Sequence, residues 1–290
     1  MAEINAELVK QLRQMTGAGI MDCKKALKET NGDLEAAAEY LRKAGIAKAA
    51  KKLSREAKEG RIEAALSSDR KQGAMVLLAT ETDFVAKNEL FVKTAKKLAE
   101  IALKNKINSA EELLSAKMNE STVEEELKIL ISKIGENIKP AKVAYLEASE
   151  NGIIHYYIHP GNRIGVMVEI TSDDPSSLEK PQTIELANEL AMQIAFSKPL
   201  AITEDEIPKE TLEKEREIYL EQAKQSGKPE KAIQKIVEGK LRKFIEQQTL
   251  LNQEYIREAK TKVIDIINRY GEKVGAKLGI KRFVWFEVGG

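Results

Sequence analysis

Gly73-Ala-Met-Val-Leu-Leu-Ala-Thr80 and Gly165-Val-Met-Val-Glu-Ile-Thr-Ser172 are two versions of one pattern. Each opens on a glycine and continues as an apolar run rich in Val, Leu, Ile and Met, the composition of a strand buried in a sheet. The likeness extends upstream, where Arg61-Ile-Glu-Ala-Ala resembles Tyr145-Leu-Glu-Ala-Ser, which predicts a preceding strand in each unit. Downstream, each unit enters an amphipathic helix. The first runs from about Asn88, its cap, to Lys104; the second runs from about Thr183 to Ser197 and is ended by Lys198-Pro199. On this register the second unit holds about eight extra residues between its first two strands, in Ile153 to Asn162. The final stretch, Arg282-Phe-Val-Trp-Phe-Glu-Val288, reads as a strand that completes the second sheet. A repeat of two sheet-plus-helix units predicts an α+β body.

Ahead of the repeat lie three short helices. Ile4, Leu8, Val9, Leu12 and Met15 recur at helical spacing, and Thr16-Gly-Ala-Gly19 breaks the run. Ile20 to Lys28 resumes it. Asn31-Gly32 is a turn, and Asp33 caps a third helix over Leu34 to Lys43 that Gly45 closes. Three amphipathic helices with short loops predict a small bundle. Residues 42–61 then carry eight Lys/Arg against two Glu, either a solvated connector or a basic face for an acidic protein or RNA. No aromatics are interleaved to stack bases, which weighs against RNA.

Thr203 to about Gln248 interrupts the second unit. Leu212, Tyr219 and Ala223 share one stripe; Ile233, Ile236, Val237, Leu241 and Phe244 share another, with Gly227 and Pro229 between them. Residues 204–221 hold eight acids and three bases, and residues 228–246 hold six bases and three acids. Opposite charge predicts an antiparallel helical hairpin with a narrow seam, protruding from the core. The domain plan is therefore 1–54, three helices plus linker; 55–140, the first core subdomain; and 141–290, the second, with the hairpin inserted at about 204–248.

Composition narrows the function. The 290 residues carry 47 Lys plus Arg against 46 Asp plus Glu, so no global field is directed at a polyanion. One cysteine, Cys23, excludes an internal disulfide, and with only two histidines most metal and nucleophile chemistry lacks material. No stretch is apolar enough to span a membrane and no signal-peptide core opens the chain, which predicts a cytoplasmic protein. Cys23 reads as a packing residue or a thiol, and Trp285 as core. Gly17 and Gly19 lack the strand and lysine of a phosphate loop. No Ser-His-Asp set, catalytic carboxylate pair or dinucleotide fingerprint is present, so the expectation is a binding protein without cofactor, not an enzyme.

Two places could carry recognition. Glu81-Thr-Asp-Phe-Val-Ala-Lys-Asn88 joins a buried strand to a long helix, a rigid corner on which Phe84 either packs inward or is aimed outward. His155 and His159 share a strand face, which allows a two-histidine metal site, but no third ligand is adjacent. His159-Pro-Gly-Asn-Arg163 reads better as an exposed tip offering His159 and Arg163 to a partner.

Several segments together resemble one family, bacterial translation elongation factor Ts. They are the Leu12-Arg13 to Leu27 run with Thr16-Gly-Ala-Gly-Ile-Met-Asp-Cys-Lys-Lys-Ala-Leu27, the corner Thr82-Asp-Phe-Val-Ala-Lys-Asn88 and Arg163-Ile-Gly-Val166. Ser197-Lys-Pro199, Gln225-Ser-Gly-Lys-Pro229, Val237-Glu-Gly-Lys240 and Arg282 to Gly289 follow in the family's order. The resemblance implies an amino-terminal module similar to ubiquitin-associated domains, a duplicated core and a coiled-coil hairpin. It implies a guanine nucleotide exchange factor that binds elongation factor Tu, GDP-bound or nucleotide-free, and binds no nucleotide itself. By that resemblance Thr82, Asp83, Phe84 and Val85 meet the GTPase domain near its magnesium site. Leu12, Arg13, Ile20 and Met21 grip the same domain, and His159 faces another, with Pro160 and Asn162 varying the tip. A homodimer or a 2:2 complex with Tu stays open. In many relatives the chain continues past the final strand into another Tu-contacting helix, and this sequence stops at Gly290. The other reading is an adaptor that uses the first module and the basic linker to hold another protein or RNA.

Overall fold

The computed structural model describes residues 5–225 and 229–290. Three helices come first: α1 (Ala6–Thr16), α2 (Ile20–Glu29) and α3 (Leu34–Ala50). Asn5 and Asp33 cap α1 and α3 by accepting the Leu8 and Ala36 amides, each at 2.9 Å. Leu12, Cys23, Ala26, Leu27 and Ala37 close a small core among them.

Next come β1 (Glu59–Leu66), β2 (Gln72–Thr80), the single turn α4 (Asp83–Ala86), α5 (Glu89–Asn105) and α6 (Ala110–Ser115). Two short strands, β3 (Lys117–Met118) and β4 (Ser121–Thr122), precede α7 (Val123–Ile134) and β5 (Ile138–Glu147). The sheet order is β1-β2-β5. Val76 and Leu78 of β2 pack with Phe91 and Leu98 of α5 and with Leu127 and Ile131 of α7. The apolar stripes of both helices thereby leave water against one sheet face. Where the sequence predicts that Gly45 closes the third helix, α3 runs on to Ala50. Gly45 is buried, and a Cβ there would sit 2.8 Å from Ser132 Oγ of α7. The glycine permits a close approach of two helices; it is not a cap.

The second half contains β6 (Gly152–Ile158), β7 (Ile164–Ser172), a 3-10 turn at Pro175–Glu179 and α8 (Pro181–Ser197). Then come α9 (Lys209–Lys224), α10 (Glu230–Gln248), β8 (Glu254–Tyr255), β9 (Glu258–Lys262), α11 (Val263–Val274) and β10 (Leu278–Glu287). Its sheet order is β10-β7-β6, with β6 and β7 antiparallel and His155 opposite Val168. Val166, Val168, Leu186, Leu190, Ile266 and Ile267 form its core, and Phe283 and Trp285 pack against them.

Length and spacing make the duplication explicit. Helices α5 and α8 are each 17 residues long and stand 92 positions apart. Helices α7 and α11 have 12 residues each, strands β5 and β10 have 10 each, and both pairs stand 140 apart. The 48-residue jump in offset lies between α8 and α11, the stretch that holds α9 and α10. This corrects the alignment drawn from sequence. Tyr145-Leu-Glu-Ala-Ser is the end of β5, a third strand of the first sheet, so the counterpart of β1 is β6. The connections at 67–71 and 159–163 are then equal in length, and the eight-residue excess disappears. Three matched residues on a strand fit many strands, because the period is only two and the partner strand is chosen by distant contacts. For the same reason a boundary at 140/141 falls inside β5.

Two compact units divide the chain: Met1–Ala65, Ala74–Tyr145 and Phe286–Gly290 form one, and Leu66–Gly73 and Leu146–Trp285 the other. The three leading helices count within the first. In the second, α9 and α10 fold back on each other as predicted, with Ala223 and Val237 buried in the seam. Lys240 donates to Gln222 Oε1 at 2.7 Å and lies 5.4 Å from the Tyr219 ring centre. Gly227, the expected break, lies outside the described residues.

Candidate functional site

The corner after β2 is built from short polar contacts. Thr82 stands in extended backbone and caps α4, its hydroxyl accepting the Val85 amide at 3.4 Å. Asn88 caps α5 by accepting the Leu90 amide at 2.9 Å. Two caps six residues apart leave room for one helical turn between them, and Phe84 is in it. Val85 and Ala86 turn toward the core of the first unit, and Phe84 turns away from it. Phe84 is 82% exposed. A bulky ring left in water has no folding rationale, so the alternative left open by the sequence resolves to an outward side chain. Asp83 is half-buried and pairs with Lys87 at 2.7 Å, one helical turn along.

The corner is held from beneath by the segment between α7 and β5, residues 135–137. Glu136 accepts the Thr80 hydroxyl (2.9 Å) and the Thr82 amide (3.0 Å) on Oε2, and the Thr82 hydroxyl (2.7 Å) on Oε1. The Asn137 amide donates to Glu81 Oε1 at 2.7 Å. The Asn137 side chain donates to the carbonyls of Leu53 (3.2 Å) and Arg55 (2.6 Å), and Lys52 Nζ donates to the Gly135 carbonyl at 2.7 Å. Three consecutive residues thus bind both the corner and the chain leaving α3. Sequence reading missed Glu136. Its signal was a glycine that stops a helix followed at once by a lone carboxylate, and nothing local says what that carboxylate reaches.

The amino-terminal candidates separate. Ile20 and Met21 begin α2 and are 55% and 75% exposed, and Arg13 is exposed on α1. Leu12 is 0% exposed. It lies in the module's own core with Cys23 and Leu27, because the α1 stripe that holds the bundle together runs through it. The expectation that Leu12 presents itself to a partner is therefore corrected. Met15, which the sequence places on the same apolar stripe as Leu12, is 59% exposed. Cys23 is buried, and burial pushes its thiol pKa upward, so it is a packing residue.

His159 and Arg163 flank the exposed β6–β7 tip, where Tyr157 Oη meets His159 Nδ1 at 2.9 Å. His155 looks elsewhere. Its Nδ1 lies 3.2 Å from an Arg70 guanidinium nitrogen. Burial first, and then the Arg70 charge, hold its pKa below the ordinary histidine value. The two histidines do not converge, and among the described residues no group of three or more His, Cys, Asp or Glu could hold a metal ion. Among the same residues no helix is long and apolar enough to cross a membrane.

The arrangement is a stiff corner carrying an exposed ring, with a second exposed apolar cluster on α1 and α2. Exposed apolar side chains on a rigid support suit contact with a protein. The family described as Elongation factor TS matches residues 81–290, which includes the corner. Elongation factor Ts of Aquifex aeolicus is 45% identical over 295 residues, covering 99% of this chain and 98% of that protein. The Clostridium botulinum (strain Eklund 17B) protein of that name is 44% identical, covering 99% and 93%, and that of Prosthecochloris aestuarii is 42% identical over the whole of both chains. With a family match over most of its length and full-length relatives at this identity, the chain belongs to the elongation factor Ts family, the nucleotide exchange factors of elongation factor Tu in translation elongation.

Proposed function

We propose that this chain binds elongation factor Tu in its GDP-bound and nucleotide-free forms and releases GDP by pressing Phe84 into the GTPase domain beside its phosphate and magnesium site, so that GTP can rebind. The exposure of Phe84 on a doubly capped, carboxylate-pinned turn carries this reading. GDP is held through its phosphates and a hexacoordinate Mg²⁺, and displacing that geometry weakens both without breaking a covalent bond. Coupling is reciprocal, so GDP weakens binding of this chain by the same factor. Lowering nucleotide affinity 10⁴-fold takes roughly 5.5 kcal/mol of differential binding. Burying one phenylalanine supplies about 1.5–3 kcal/mol. The remainder falls to a wider grip, for which Thr82, Asp83 and Val85 around the ring, Arg13, Ile20 and Met21 on the module, and His159 and Arg163 on the second unit are the surface. Leu12 keeps the module in shape.

The reaction belongs in the cytoplasm, with Tu. Sedimentation with and without Tu distinguishes a homodimer or a 2:2 complex with Tu from a 1:1 pair. The deciding experiment is release of labelled GDP from Tu in stopped flow. The wild-type chain accelerates release, and Phe84→Ala loses most of that acceleration while still forming the complex. An unchanged rate for Phe84→Ala rules out the wedge.

A further inference from the structure

We propose that Glu136 is a positioning residue for nucleotide exchange: its carboxylate fixes the turn that aims Phe84, and it is there for that purpose and not for the fold. The inference rests on the wedge reading above. The three hydrogen bonds to Glu136 converge on Thr80 and Thr82, the end of β2 and the cap of α4. They fix the backbone just ahead of the ring, so the direction of the Cα–Cβ bond of Phe84 is set by them. Charge-assisted bonds to one carboxylate resist rotation of that turn better than neutral ones would.

The duplication supplies an internal comparison. At the offsets of 92 and 140, Glu81 corresponds to Asp173 and Asn137 to Lys277. Both units make the same bond: the Asn137 amide to Glu81 Oε1, and the Lys277 amide to Asp173 Oδ1, each at 2.7 Å. Both close the preceding helix with a left-handed glycine, Gly135 (φ 96°) and Gly275 (φ 70°). Both cap the corner with a polar side chain, Thr82 in one and Asp174 in the other. Among the positions that differ in kind are the ring and the carboxylate. Phe84 corresponds to Ser176, and Glu136 corresponds to Ala276. The second corner has no carboxylate at the place of Glu136; the Asp174 side chain caps its turn, and the Ser172 and Ser177 hydroxyls lie 2.6 Å apart. The architecture therefore forms without a glutamate at this place. The glutamate and the protruding ring occur together in one unit and are absent together from the other.

The same segment also fixes where the α3 exit lies, through Asn137 and Gly135. The exposed ring and the chain from the module are thus referred to one support.

The test uses the full chain, Tu and a fluorescent GDP in stopped flow, with the concentration of the chain varied. Glu136→Gln keeps the shape but replaces one acceptor oxygen by an NH₂ group. We expect the release rate at saturation to fall about tenfold, as a misaimed group loses rate without losing contact area. The half-saturating concentration should move less than about twofold, a split that general destabilisation would not give. Thr80→Val, which removes a buried partner hydroxyl of Glu136 from the other side, should reproduce it. In a Phe84→Ala background Glu136→Gln should slow release no further, because there is no ring left to aim. A slow Phe84→Ala beside a Glu136→Gln at the wild-type rate overturns the positioning role alone. So does the same slowing by Glu136→Gln in both backgrounds, or an effect confined to the half-saturating concentration. A Phe84→Ala at the wild-type rate removes the wedge, and this proposal with it.

Discussion

Phe84 and Leu12 show why a residue type alone does not assign a role. Both are large and apolar, and one is almost wholly in water while the other is wholly out of it. Exposure predicts opposite outcomes for truncation. Phe84→Ala should leave stability within about 0.5 kcal/mol of wild type, since no packed atoms are removed. Melting curves measured beside the release rates separate this from a folding defect. His155 allows a prediction with a sign. Its pKa in the fold lies below the ordinary value of 6.5, so the unfolded chain takes up its proton first as pH falls. The stability it contributes is complete above 6.5 and declines as pH falls toward the folded value. Thermal melts from about pH 8 to about pH 5 should show a smaller decline in His155→Gln than in wild type. Equal slopes would mean that another group titrates there.

At the scale of elements, what was legible followed from periodicity. The three leading helices, both long core helices, the paired arms and the last strand all announce themselves by stripes, caps and breaks, since these are local. Pairing was not legible. Tyr145 to Glu147 joins the first sheet because β5 finds β2, a contact between segments far apart in sequence. Gly45 looked like a stop because the helix it faces is 80-odd residues away. Glu136 was invisible for the same reason: three of its acceptor contacts reach residues more than 50 positions back. The direction of Phe84 was left open because one turn can present a side chain either way. The repeat register now makes a prediction of its own. The arm is an insertion whose base is closed by Leu200 and Leu250 amides bonded to Gln248 and Ala201 carbonyls at 3.0 and 2.9 Å. Replacing residues 209–244 by a short Gly-rich turn, which keeps that base, should therefore leave a cooperatively folding chain with a reduced helical signal in circular dichroism. Loss of the cooperative transition would show that the arm is part of the core.

For the whole molecule the proposed function raises the question of how a grip and a wedge would share the work. The energy needed exceeds what one ring can provide, so affinity and release must be separable by deletion. Removing residues 1–54 takes away Ile20, Met21 and Arg13 and leaves both sheets intact. The shortened chain should still unfold as a unit, at a lower temperature, because Asn137 loses the Leu53 carbonyl and α7 loses its neighbour α3. It should need a much higher concentration to reach half-maximal GDP release. Full affinity after the deletion would show that the module grips nothing.

One scaffold occurs twice in this chain, with one copy armed and the other blunt. Ser176 and Ala276 mark the vacant seats on the blunt copy, which already has one capping side chain, Asp174, and the left-handed glycine, Gly275. Transplanting phenylalanine and glutamate there would make a two-pronged chain, and its behaviour would tell whether an exchange factor is a ring on a stiff bend or needs that bend delivered from one side only.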